Sequence, residues 1–91
     1  MLNQSILIGR IFALEDGAIT IKVPRNEKDK EEVDLITARL EGNVNQSVQE
    51  YCSVGDIVGL KGRLASDANG MYLKAEKVTF LTSHKQENDE E

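Results

Sequence analysis

Apolar and polar residues alternate with a period of two along most of the chain, and that period changes only once. Residues 4–14, Gln-Ser-Ile-Leu-Ile-Gly-Arg-Ile-Phe-Ala-Leu, are rich in β-branched side chains and interrupted by Gly9, which predicts a first strand bent at the glycine. Glu15-Asp16-Gly17 is a hairpin turn, with Asp-Gly supplying the positive φ that tight turns require. Ile19, Ile21 and Val23 then alternate with Thr20 and Lys22 in a second strand that stops at Pro24, which has no N–H for a ladder. Residues 25–32 hold no apolar side chain and join this strand to a third at 33–40.

Over residues 43–53 the spacing becomes helical, through Val44, Val48, Tyr51 and Cys52, with Asn43 as the expected N-cap. Tyr51 and Phe80 are expected in the core, and Cys52 as a small buried residue on the helix's apolar side. Val54-Gly55-Asp56 turns the chain into a fourth strand, 56–65, where Val58, Leu60 and Leu64 form an apolar face and Lys61 and Arg63 a basic one. Gly59 and Gly62 are expected to let this strand coil or another backbone approach. Asp67-Ala68-Asn69-Gly70 is a second hairpin signal, and 71–81 form the last strand. Strand, strand, strand, helix, strand, strand is the element order of the OB-fold, an all-β, five-stranded Greek-key barrel with a short helix between strands three and four.

Composition changes this picture in two respects. A single cysteine, Cys52, and a single histidine, His84, allow neither an intramolecular disulfide nor a Cys/His zinc cage, and no carboxylates fall at a recognised metal spacing. The expectation is a protein without metal, cofactor or catalytic residues. The net charge of -5 argues against a phosphate-bearing partner until its distribution is considered. Glu87, Asp89, Glu90 and Glu91 carry four of the 16 acidic charges on a terminal segment, so residues 1–86 hold 11 basic side chains against 12 acidic ones. The expected layout is an OB-fold domain over 1–83 and a disordered acidic tail over 84–91, in a soluble cytoplasmic chain with no membrane span.

The residues filling this order form a recognisable ensemble. It runs from Met1-Leu2-Asn3-Gln4 through Leu7-Ile8-Gly9-Arg10, then Asp34-Leu35-Ile36, Glu50-Tyr51, Val54-Gly55, Val58-Gly59 and Gly62-Arg63-Leu64. It closes on Ala75-Glu76, Val78 and Phe80-Leu81. The ensemble resembles the bacterial single-stranded DNA-binding proteins over most of residues 1–81. The resemblance implies single-stranded DNA binding without catalysis, in replication, recombination or repair, by a homo-oligomer (a dimer or a tetramer) that meets other replication or repair proteins. It also implies an alternative, an adaptor of the primosomal type acting through protein contacts with weak or no DNA binding.

Family members stack bases on aromatic side chains, a contact that tolerates any sequence. This chain has no tryptophan, and Phe12 and Tyr72 are its candidates. Lys22, Arg39, Lys61, Arg63 and Lys74 fall at or near outward strand positions, as Tyr72 does, and together they form either a groove tracking a phosphate backbone or an ordinary charged surface. Arg25 and Lys28, in the charged segment, belong either to a solvated hairpin or to a finger reaching for phosphates. The acidic tail is expected to compete with DNA for the basic face at low salt.

Overall fold

The period-two pattern is realised as strands and the one helical stretch as a helix. In the computed structural model, which describes residues 2–26, 28 and 31–82, β1 is Ser5–Glu15, β2 Ala18–Pro24, β3 Val33–Arg39, α1 Gly42–Tyr51, β4 Ile57–Asp67 and β5 Gly70–Phe80. The strands close into a barrel in the order β1-β2-β3-β5-β4. All neighbours are antiparallel except β3 and β5, which meet in parallel through Ala38↔Leu73 and Arg39↔Lys74. With α1 between β3 and β4, this is the OB-fold.

β1 serves two neighbours in turn, β4 over residues 5–10 and β2 over residues 10–15. Two glycines make the tight crossings possible. A Cβ on Gly9 would collide with the Lys22 carbonyl, and one on Gly62 with the Lys74 carbonyl. Gly59 needs no such allowance, because a Cβ there would meet nothing nearer than the Ile8 side chain at 3.8 Å. Bulges accompany the bends: Phe12 is skipped between Ile11 and Ala13, and Glu76 is skipped where Lys61↔Lys77 gives way to Gly62↔Ala75.

The core consists of the inward side chains of all five strands, Ile11, Ile19, Ile21, Ala38, Val58, Leu60, Leu73 and Ala75, closed at one end by Leu40, Val48 and Cys52. α1 plugs that end and is tied to the β1–β2 turn. Asn45 accepts from the Gly17 N–H at 2.9 Å and donates to Asp16 at 2.8 Å, while Gln49 donates to the Glu15 carbonyl at 2.6 Å. After the helix, the buried Asp56 accepts the Ser53 N–H at 2.9 Å and fixes the turn into β4.

Three expectations need correction. The helix begins two residues earlier than expected, so Glu41 rather than Asn43 is the N-cap residue, and no side chain caps the helix. Tyr51 lies at the rim, 45% exposed, and packs on the half-buried Phe80 with ring centroids 6.0 Å apart, because the helix turns its last residue off the barrel. Leu64 is also exposed, since β4 there has run past its last pair with β1, at Gly62, and keeps, among the described residues, only β5 as a strand partner. Cys52 is buried as expected. The acidic tail, 84–91, and Glu27, Asp29 and Lys30 of the charged segment lie outside the described residues.

Candidate nucleic-acid interface

Strand register collects the outward side chains into rows. Ala18 of β2 faces Arg39 of β3, Arg39 faces Lys74 of β5, and Lys74 faces Arg63 of β4. Three of the sequence-predicted cations therefore lie side by side across the β3-β5-β4 surface. Each already has a carboxylate: Arg39 and Asp67 at 3.0 Å, Lys74 and Glu41 at 3.4 Å, Arg63 and Glu76 at 3.2 Å. All three pairs are solvent-accessible and of the kind that contributes ~0–1 kcal/mol, so a phosphate exchanges with such a carboxylate at small cost.

Tyr72 stands outward on β5, opposite Ala65, and the Arg39 guanidinium carbon sits 3.6 Å from its ring centroid. Asp67, at the end of β4, holds the other side of this arrangement. One of its oxygens meets Arg39 and the other accepts the Asn69 N–H at 2.8 Å. That backbone N–H, followed by the Arg39 hydrogen bond, keeps the Asp67 carboxyl below its ordinary pKa of 3.8. Asp67 is therefore ionised, and available to hold Arg39, throughout the neutral range.

A second row lies on the β1-β2-β3 surface, where Arg10 faces Lys22 and Lys22 faces Leu35. The bulged Phe12 is exposed beside it, and the Lys22 ammonium lies 5.2 Å from the Phe12 ring centroid. Arg10 donates to the Gly55 carbonyl at 2.7 Å. Ile8, Gly9, Arg10, Lys22, Pro24, Val33 and Ile57 line an open groove of about 520 Å³ here, so that apolar side chains and two cations share its lining. Between the two rows, the Thr20 and Thr37 hydroxyls are hydrogen-bonded to each other at 2.8 Å.

The remaining predicted residues do not join these rows. Lys61 belongs to the β1-β4-β5 surface, opposite Ile6 on one side and Lys77 on the other. Arg25 pairs with Asp34 at 3.0 Å within the β2–β3 hairpin, and Lys28 is exposed further along the same connection. Sequence reading missed Arg10 and Leu35. Leu35 is 53% exposed, beside Lys22, and only the register of β2 against β3 reveals it as part of the outer face.

No family model matches this sequence, and neither does any curated protein. Its structural neighbours are OB-fold single-stranded DNA-binding proteins. The mitochondrial single-stranded DNA-binding protein Rim1 of S. cerevisiae superimposes with a TM-score of 0.70 at 16% identity, over 91% of this chain and 98% of that one. The small single-stranded DNA-binding protein of Streptomyces coelicolor gives 0.69 at 14% identity, over 88% and 93%. The second such protein of Mycobacterium smegmatis gives 0.64 at 19% identity, over 89% and 90%. Likeness at these identities establishes the fold. Among the described residues, no group of three or more His, Cys, Asp or Glu is placed to hold a metal ion, and no helix is long and apolar enough to cross a membrane.

Proposed function

We propose that this protein binds single-stranded DNA without catalysing a reaction on it, as a homo-oligomer in the cytoplasm, in replication, recombination or repair. The observation that carries the reading is the Arg39-Lys74-Arg63 row, set on a fold shared with proteins that bind single-stranded DNA. The groove beside Lys22 and Arg10, with Phe12 exposed next to it, supplies a second stretch where a base meets an apolar surface and its phosphate a cation. Arg25 and Lys28 extend the cationic path along the β2–β3 hairpin, and Lys61 lies on the adjoining surface.

Because Arg39, Lys74 and Arg63 each already hold a carboxylate, binding is expected to be modest and salt-sensitive. Titration of labelled oligo-dT at two salt concentrations tests this. Two to three neutralised phosphates give a slope of log affinity against log salt of about -1.4 to -2. Absence of micromolar binding at low salt, or binding indifferent to salt, would reject the proposal. The same three ion pairs favour a second reading, an adaptor that works through protein contacts, and this reading gains if the oligo-dT titration is flat.

A further inference from the structure

Arg39 and Tyr72 were read from the sequence as separate contacts, one for a phosphate and one for a base. Their geometry makes them one object. With the guanidinium carbon 3.6 Å from the ring centroid, an edge-on guanidinium would drive a nitrogen into the ring, so its plane lies over the ring face. That face of Tyr72 is closed to any base. What faces outward instead is the far side of the Arg39 guanidinium, on a side chain that keeps 44% of its surface exposed.

Three neighbours hold this plane in position. Tyr72 backs it, Asp67 grips one terminal nitrogen at 3.0 Å, and Asp67 is itself fixed by the Asn69 N–H at 2.8 Å. The β4–β5 hairpin carries all three, while β3 supplies the arginine through the Arg39↔Lys74 register. A guanidinium is planar and weakly hydrated, and it stacks on flat π-faces, properties that an ammonium lacks. Once its edge is satisfied by a carboxylate and its inner face by a ring, its outer face has one strong use left, a second flat group.

We infer that the outer face of the Arg39 guanidinium is a base-stacking surface, with Tyr72 and Asp67 as positioning residues. The inference rests on the proposed single-stranded DNA binding and specifies one of its contacts. A base, Arg39 and Tyr72 then form a three-layer stack, and Arg39 stands in for an aromatic plate. Lys74 and Arg63, next in the row, are left to the phosphates.

The test compares oligo-dT with an abasic oligomer of equal length, which carries the same phosphates and no bases. Wild-type protein should bind oligo-dT more tightly than the abasic strand. Arg39→Lys keeps the charge and loses the plane, so affinity for oligo-dT should fall about tenfold while affinity for the abasic strand and the salt slope stay unchanged. Tyr72→Leu should narrow the same gap with Arg39 intact. Equal losses on both strands would make Arg39 a phosphate contact and overturn the inference, as would an undiminished gap in Arg39→Lys. A wild-type protein that binds both strands equally also overturns it while leaving charge-driven binding standing. If the wild type binds neither strand, the proposed function itself fails. Nuclear magnetic resonance of the wild-type Arg39 Nε–H gives a readout that needs no variant. A ring-current shift with oligo-dT and none with the abasic strand is expected, and no shift with either overturns the inference.

Discussion

Gly62 has no room for a side chain, because the backbone carbonyl of Lys74 occupies the place where its Cβ would be. The obstacle is backbone and cannot rotate away, so Gly62→Ala must push β4 and β5 apart next to the Glu76 bulge. Overpacking of this kind costs about 1–3 kcal/mol. In a domain of this size that lowers the melting temperature by roughly 4–8 °C per kcal/mol. Gly59→Ala, three residues away on the same strand, is the control. Its Cβ meets only ordinary contacts, the nearest at 3.8 Å, so its melting temperature should match the wild type. Equal melting of both variants would mean that the crossing is looser than described.

Asp67 supports a prediction about pH at the same scale. Its folded-state pKa is depressed, chiefly by the Asn69 N–H and then by Arg39, so its contribution to stability is fully present above the ordinary carboxylate value. That contribution disappears as pH falls through the lower, folded value. The hold on Arg39 is therefore constant across the neutral range and weakens only in acid below about pH 4. Melting curves of wild type and Asp67→Asn should run parallel from pH 8 to 5 and converge below pH 4. Convergence already at pH 6 would assign the effect to another group.

Among the elements, α1 is the least well defended. Its N-cap residue, Glu41, has the extended backbone of a cap, at φ -133° and ψ 151°, but makes no side-chain cap hydrogen bond, and its carboxylate reaches across to Lys74 instead. Aspartate has the right length to accept the exposed N–H groups of the first turn, and it keeps a negative charge at the positive end of the helix. Glu41→Asp should stabilise the protein by about 0.5–1 kcal/mol, read as a higher urea midpoint at constant slope. It should also release Lys74 and strengthen oligo-dT binding at low salt. Higher stability without tighter binding would show that the Lys74–Glu41 pair does not compete with DNA.

The same helix shows why some features were legible in the sequence and others were not. Its existence follows from the spacing of Val44 and Val48, whereas its end lies at Tyr51, two residues before the end of the helical spacing at Ser53. Its first residue depends on the backbone of Glu41, which no side-chain pattern announces. The strands were legible because burial enforces a period of two, and the signal fails where burial does: Leu64 continues the alternation past the pairing of β4 with β1 and is exposed. The outward cations were readable one at a time. Their assembly into a row depends on the short parallel contact between β3 and β5, and the Arg63–Glu76 pair on a bulge. Both arise from closing the barrel, so the partners that share charge with Arg39, Arg63 and Lys74 could not be read from local sequence.

At the scale of the whole molecule, β1 leaves unfinished business. Among the described residues, positions 5–9 pair with β4 alone, and the first β2 partner appears only at Arg10. Along this stretch Ile6 is 68% and Ile8 57% exposed, and with Leu81 they line a groove of about 290 Å³. A strand that is both apolar on its outer face and unpaired along one edge is a ready template for another strand. A second copy of β1 satisfies both needs at once, by antiparallel pairing of the free edges and burial of the isoleucines, and it sets two Arg39-Lys74-Arg63 rows on one particle. The protein should therefore elute as a dimer or larger species in light-scattering chromatography. Ile6→Glu should convert it to a monomer with an unchanged far-ultraviolet spectrum, since Ile6 lies outside the barrel core and does not line the groove beside Lys22. Because two linked rows raise the effective concentration of each for a long strand, the monomer should lose affinity for an oligo-dT long enough to span both, and keep its affinity for a short one. A wild type that is already monomeric, or a monomeric variant with undiminished affinity for the long strand, would place the isoleucines outside any assembly that matters for binding.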